Sequence, residues 1–160
     1  MIEINKKAQD FVLDGIDSDG DERKFKLSDY LGRYVVLYFY PKDDTAGCTV
    51  EAVDFSDHFG HLADTVVVLG VSRDDIKSHK EFQEKYDIDI ALLSDPEGEV
   101  HSQYGVLQAE NLEDKKVVRS TFLIDKEGIV RYIWKDVKVT GHAEDVLKAL
   151  LCLQKNKITE

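Results

Sequence analysis

The chain has two cysteines, Cys48 and Cys152, and the first is approached through Tyr38-Phe39-Tyr40-Pro41-Lys42-Asp43-Asp44-Thr45-Ala46-Gly47-Cys48-Thr49-Val50-Glu51. An apolar run ends at Tyr40, Pro41 stops a strand ladder, and a polar loop delivers Cys48 to the start of a helical pattern. The first turn of a helix carries unpaired backbone N–H groups and the positive end of the macrodipole, and both favour a thiolate over a thiol. Cysteines in such places can drop from a pKa of ~8.5 into the range ~3.5–7.5. A free cysteine is also commonly a small apolar residue filling space beneath a helix. Position alone leaves nucleophile and packing residue about even.

Other chemistries are weaker. The acidic stretch Asp14–Asp21 looks at first like a calcium loop. With Gly20 at loop position 6, position 1 is Gly15 and position 12 is Lys26, where carboxylates are required. A solvated Asp-Gly turn between two short strands is the better reading. Of the histidines, only His58 and His61 share a helix face, short of the three or four ligands a zinc ion takes, so surface histidines are expected. There is no Gly-rich phosphate loop, Cys-x-x-Cys pair or Gly-x-Ser-x-Gly elbow. No metal or cofactor is implied.

The elements that must position Cys48 are legible as apolar runs. Val35–Tyr40, Val66–Val71, Thr121–Ile124 and Ile129–Trp134 lack alternation, which indicates strands buried on both faces of a central sheet. Asp125–Gly128 reads as a hairpin turn between the last two runs. Ala52, Phe55, Phe59 and Leu62 form one face of a helix following Cys48. A second helix is predicted over Ile76–Tyr86, a short one through His101 and Tyr104, and a last one over His142–Leu153. This order indicates an α/β sandwich with a mixed sheet flanked by helices, in one domain spanning residues 1–160.

Lys plus Arg number 21 and Asp plus Glu 32, a net charge of −11, which argues against nucleic acid or anionic lipid as partners. No apolar run approaches the ~20 residues of a membrane span. Residues 1–11 contain no secretory apolar core, so the expected compartment is a reducing cytoplasm. There a cysteine that matters does chemistry more often than it builds a scaffold.

The cysteine loop resembles the active-site segment of the peroxiredoxins, Pro-x-x-x-Thr-x-x-Cys, here Pro41, Thr45 and Cys48. Its flanks are similar to the bacterioferritin comigratory protein, or peroxiredoxin Q, group. The similarity continues through Leu69–Ser72, Leu92–Pro96, Arg119–Asp125 and Gly141–Glu144, in order along the chain. The resemblance implies a thioredoxin-like fold with an N-terminal β-hairpin, and reduction of hydrogen peroxide and alkyl hydroperoxides. It implies Cys48 as the peroxidatic cysteine, Thr45 and Arg119 as its partners, Pro41 as a shield, and Glu51 as a group orienting the arginine. Ala46 stands where this group commonly has proline, and Val53 stands where many members carry a resolving cysteine; the helix Ile76–Tyr86 lacks one too.

The reaction is attack of a thiolate on a peroxide oxygen. Lowering a generic cysteine pKa to ~6 raises the thiolate fraction at pH 7 about 30-fold. The accompanying loss of nucleophilicity takes back about tenfold, leaving a net gain of about threefold. Most of the acceleration must therefore come from holding the peroxide and stabilising charge on the departing oxygen. The planar, permanently charged Arg119, the hydroxyl of Thr45 and N–H groups near Gly47 and Cys48 are suited to that.

Cys152 is the remaining thiol. On a helical wheel at ~100° per residue, the apolar face of the last helix centres near ~30° and Cys152 lies near ~240°, beside Asp145 and Lys148. One-cysteine behaviour is therefore expected, with thioredoxin, glutaredoxin or a low-molecular-weight thiol such as glutathione as reductant. The resemblance implies a monomer or homodimer. The competing reading is a peroxide-sensing relay that passes oxidation to a partner through a mixed disulfide.

Overall fold

A computed structural model describes residues 2–109 and 115–159. Nine strands and four helices run in the order β1 (Val12–Ile16), β2 (Glu22–Lys26), β3 (Tyr34–Phe39), α1 (Ala46–Phe59), β4 (Val66–Ser72), α2 (Ile76–Tyr86), β5 (Ala91–Ser94), α3 (Glu99–Gln103), β6 (Leu107–Ala109), β7 (Lys115–Val117), β8 (Ser120–Ile124), β9 (Val130–Trp134) and α4 (His142–Thr159) among the described residues. Seven strands form one mixed sheet in the order β2-β1-β5-β4-β3-β8-β9. β3, β4 and β5 are parallel, and the remaining pairings are antiparallel. This is the thioredoxin-like architecture, with the expected hairpin of β1 and β2 at its N-terminal end.

The apolar runs form strands because both faces of the sheet are covered. Along β3 the side chains alternate with the two-residue period of a strand. Tyr34, Val36 and Tyr38 enter one core with Phe55 of α1, Phe82 of α2 and Val146 of α4. Val35, Leu37 and Phe39 enter the other with Phe11, Val100, Tyr104 and Val117. Edge strand β9 is only half-buried after Val130. Gly70 permits the close packing beneath α1, because a Cβ there would lie 2.8 Å from the Tyr38 ring, which is itself fully buried.

α2 has the predicted bounds and a stated cause for its start: the Asp75 carboxylate accepts from Ser78 N at 2.8 Å. The acidic stretch is the turn between β1 and β2, where Asp17 Oδ1 accepts from the N–H groups of Asp19 and Asp21. α4 runs past the predicted Leu153 to Thr159. Leu151 of this helix is exposed, whereas Val146 and Leu150 are buried. The small hairpin of β6 and β7 was not visible as a sequence pattern. No helix among the described residues is long and apolar enough to cross a membrane.

The expectation of surface histidines is corrected for three of the five. His79, His101 and His142 are buried. Each has a polar partner that lies far away in sequence or outside any motif: Asp43, Asp95 and Thr121 respectively. Those bonds allow burial of a polar ring that would otherwise remain in water.

Candidate active site

The last ladder bond of β3 carries the chain into the site, Tyr40 N donating to Val71 O at 3.1 Å. The chain turns at Pro41 and enters α1 at Thr45, whose extended backbone and carbonyl, accepting from Thr49 N at 2.9 Å, make it the N-cap. Its side chain does not cap the helix. The Thr45 hydroxyl donates to Lys42 O at 2.9 Å, across its own loop, and keeps its oxygen lone pairs as acceptors.

Cys48 is the third residue of α1 and only 1% exposed. Arg119, in the turn between β7 and β8, reaches it from 71 residues away: Nη2 lies 3.4 Å from Sγ. The other amino group, Nη1, donates to Glu51 Oε1 at 2.7 Å. The guanidinium is thus held by one turn of α1 and presented to another, with a positive charge placed against the sulfur. Gly47 makes room for this, since a Cβ there would stand 3.2 Å from Nη2.

Burial pushes the Glu51 carboxyl up to about 7, although the charge and hydrogen bond of Arg119 pull it down. Glu51 Oε2, Thr49 Oγ1 and the Tyr38 hydroxyl are buried with no hydrogen-bond partner among the described residues. Burial, with the charge of Glu51 adding to it, raises the Tyr38 phenol well above its ordinary value, so it remains a neutral donor. His142 lies behind Cys48's helix, edge-on to Phe55 and Trp134, and shares a 2.8 Å hydrogen bond with Thr121. Burial pushes it down to about 4; Asp145 opposes the shift and Arg119 adds to it.

A second polar cluster holds the loop from the other side. The Asp43 carboxylate accepts from the Tyr40 hydroxyl at 2.6 Å, Ser78 Oγ at 2.8 Å and His79 Nδ1 at 2.7 Å. The other ring nitrogen of His79 lies 2.9 Å from Leu93 O, so both nitrogens face acceptors. This ties the loop to α2 and β5. Neither Asp43 nor His79 was singled out from sequence, because 36 residues separate them and no spacing signals the pair.

Of the five residues expected in the site, Cys48, Arg119 and Glu51 make one connected cluster. Thr45 and Pro41 are exposed in the loop in front of it. Cys152 is a free, exposed thiol on α4. Among the described residues, no group of three or more His, Cys, Asp or Glu side chains could hold a metal ion.

Residues 4–133 match the AhpC/TSA family. The putative peroxiredoxin bcp of Coxiella burnetii is 44% identical over 153 residues, covering 93% of this chain and 99% of that protein. The peroxiredoxin Bcp of Bacillus subtilis is also 44% identical over 153 residues, covering 93% and 95%. Among solved structures, the bacterioferritin comigratory protein of Xanthomonas campestris, described for its alkyl peroxide reduction activity, superposes with a TM-score of 0.79. That match is at 36% identity and covers 88% of this chain and 90% of the other. A peroxiredoxin Q of Xylella fastidiosa gives a TM-score of 0.84 at 33% identity, covering 96% and 98%. The chain belongs to the AhpC/TSA family, as a peroxiredoxin of the Bcp/Q group.

Proposed function

We propose that this peroxiredoxin reduces hydrogen peroxide and small alkyl hydroperoxides through a sulfenic acid on Cys48, which an external thiol reduces. The carrying observation is the guanidinium of Arg119, 3.4 Å from Cys48 Sγ and anchored 2.7 Å from Glu51. A fixed cation beside the sulfur complements a thiolate and, as the O–O bond breaks, charge growing on the leaving oxygen. The sulfur takes one peroxide oxygen, and the other leaves with a proton as water or alcohol. In this reading Thr45 accepts a hydrogen bond from the peroxide, Pro41 shields the approach, and Glu51 positions Arg119. Such preorganisation stabilises the transition state because these groups need not reorient as charge moves.

One-cysteine behaviour is supported by Val53 in the position of a resolving cysteine, by the lack of cysteine in α2, and by the exposed position of Cys152 on α4. Thioredoxin, glutaredoxin and low-molecular-weight thiols are the candidate reductants. An unpaired nucleophilic thiol suits the reducing cytoplasm. The test is intact mass spectrometry after one equivalent of hydrogen peroxide. Wild type should gain one oxygen at Cys48, trappable by an added thiol, and Cys152→Ser should do the same. An internal disulfide between Cys48 and Cys152 would overturn the one-cysteine assignment.

A further inference from the structure

The C-terminal ends of β3, β4 and β5 open onto a shallow, open cleft of about 490 Å³ bordered by Pro41, Lys42, Arg73, Asp74, Pro96 and Lys116. Crevices at the carboxyl ends of parallel strands are where α/β sheets receive ligands. Here Pro41 and Lys42 on the wall belong to the loop that leads to Cys48, Lys42 O accepting from the Thr45 hydroxyl at 2.9 Å, and Lys116 lies three residues before Arg119 in the chain.

The chain carries a net charge of −11, yet three cations from three separate segments converge here. Among the described residues none of the three has a carboxylate partner. Arg73 is planted on the wall, Nε and Nη2 both donating to Pro96 O at 3.2 Å, which leaves its other donors open. The acidic side chain on the wall, Asp74, is engaged internally, Oδ2 accepting from Asp43 N at 2.8 Å and Ser72 Oγ at 2.7 Å.

We propose that this cleft binds the carboxylates of a low-molecular-weight thiol, and so selects an anionic small thiol as the reductant of oxidised Cys48. The inference rests on the peroxidase reading. Cys48 is 1% exposed, which a small thiol reaches more readily than the cysteine of a folded partner. In the first step the thiol sulfur attacks the sulfenic sulfur. An S–S bond forms, the S–O bond breaks, and the hydroxyl leaves as water with the proton of the thiol. A second thiol attacks the outer sulfur of that mixed disulfide. The small-molecule disulfide departs, and Cys48 regains its thiol with the proton of the second thiol. Two thiols supply the two electrons.

The test separates the half-reactions. Cys48 is first oxidised with one equivalent of hydrogen peroxide, and its reduction is then followed with mercaptosuccinate, 2-mercaptoethanol and cysteamine, each rate scaled to thiolate concentration. In wild type the dianionic thiol should be about tenfold faster than the neutral one and the cationic thiol slower, with the differences shrinking in high salt. In the Lys42→Glu/Lys116→Glu variant the preference should invert, while oxidation by peroxide stays within about twofold. Lys42→Gln/Lys116→Gln, a milder change, should abolish the preference without inverting it. Normal oxidation followed by reduction that ignores thiol charge overturns this inference alone. So does a charge effect confined to the oxidation step. No oxidation of Cys48 at all overturns the peroxidase reading and this inference with it.

Discussion

Two polar clusters grip the loop from Pro41 to Thr45, and they are finished differently. Around Asp43 the carboxylate takes three side-chain donors and both nitrogens of His79 face acceptors. Around Cys48 the single ion pair of Arg119 with Glu51 is surrounded by three buried oxygens without partners, on Glu51, Thr49 and Tyr38. A buried polar atom left unpaired costs about 1–3 kcal/mol. The side chains of the first cluster are paired with one another, so its effect is on the position of the loop. The second is incompletely paired, and its guanidinium faces the sulfur.

The largest effect should come from the centre of the unsaturated cluster. Cys48→Ser exchanges the nucleophile for a hydroxyl that is not ionised at neutral pH, and peroxide consumption should fall by at least about 10³-fold. Retained consumption in a peroxide assay would place the nucleophile elsewhere and dissolve the comparison.

Damage to the saturated cluster should appear in stability before it appears in chemistry. Asp43→Ala removes the acceptor that Tyr40, Ser78 and His79 share, leaving buried donors unpaired, at a cost of about 1–3 kcal/mol each by denaturant unfolding. A change below about 1 kcal/mol would mean that the cluster does not hold the loop.

Arg119→Lys retains the charge but loses the fork that spans Glu51 and Cys48 together. Oxidation of Cys48, followed by stopped flow, should slow by about 10²-fold, or about 2.7 kcal/mol of barrier, with little change in unfolding. Oxidation at the wild-type rate would remove Arg119 from the site.

A gradual effect, spread over pH, sharpens the contrast further. The Glu51 carboxyl is raised from 4.5 to about 7, so between those values the folded protein holds a proton that the unfolded chain has released. Stability from this group is present below the lower value and declines as pH rises through the window, by up to about 1.4 kcal/mol per pH unit. Glu51→Gln should remove that slope from the unfolding free energy measured between pH 4.5 and 7. An unchanged slope would show that Glu51 is not the group titrating there.

Much of the fold was legible because its signals are local. β3 is a strand because six consecutive residues suit burial on two faces, and α2 begins where Asp75 can cap it. The reactive loop was legible for the same reason, since a strand end, a proline and a helix start frame Cys48 within ten residues. Arg119 and Glu51 were reached only through the family motif. Taken alone, an arginine near a strand and a glutamate on a helix carry no sign of each other.

The sequence by itself determined strands β3, β4, β8 and β9, the helices, the presence of Cys48 at a helix start and the exposed side of α4 that carries Cys152, but not β5, β6 or β7, because hydrophobic period and capping act over a few residues. Only the tertiary structure decided that Arg119 spans Cys48 and Glu51, that His79 is buried against Asp43, and that Lys42, Arg73 and Lys116 meet in one cleft. Those contacts join segments tens of residues apart. They form when the parallel strands bring their C-terminal ends together, which sets the distances on which a guanidinium, an imidazole or a cluster of cations depends.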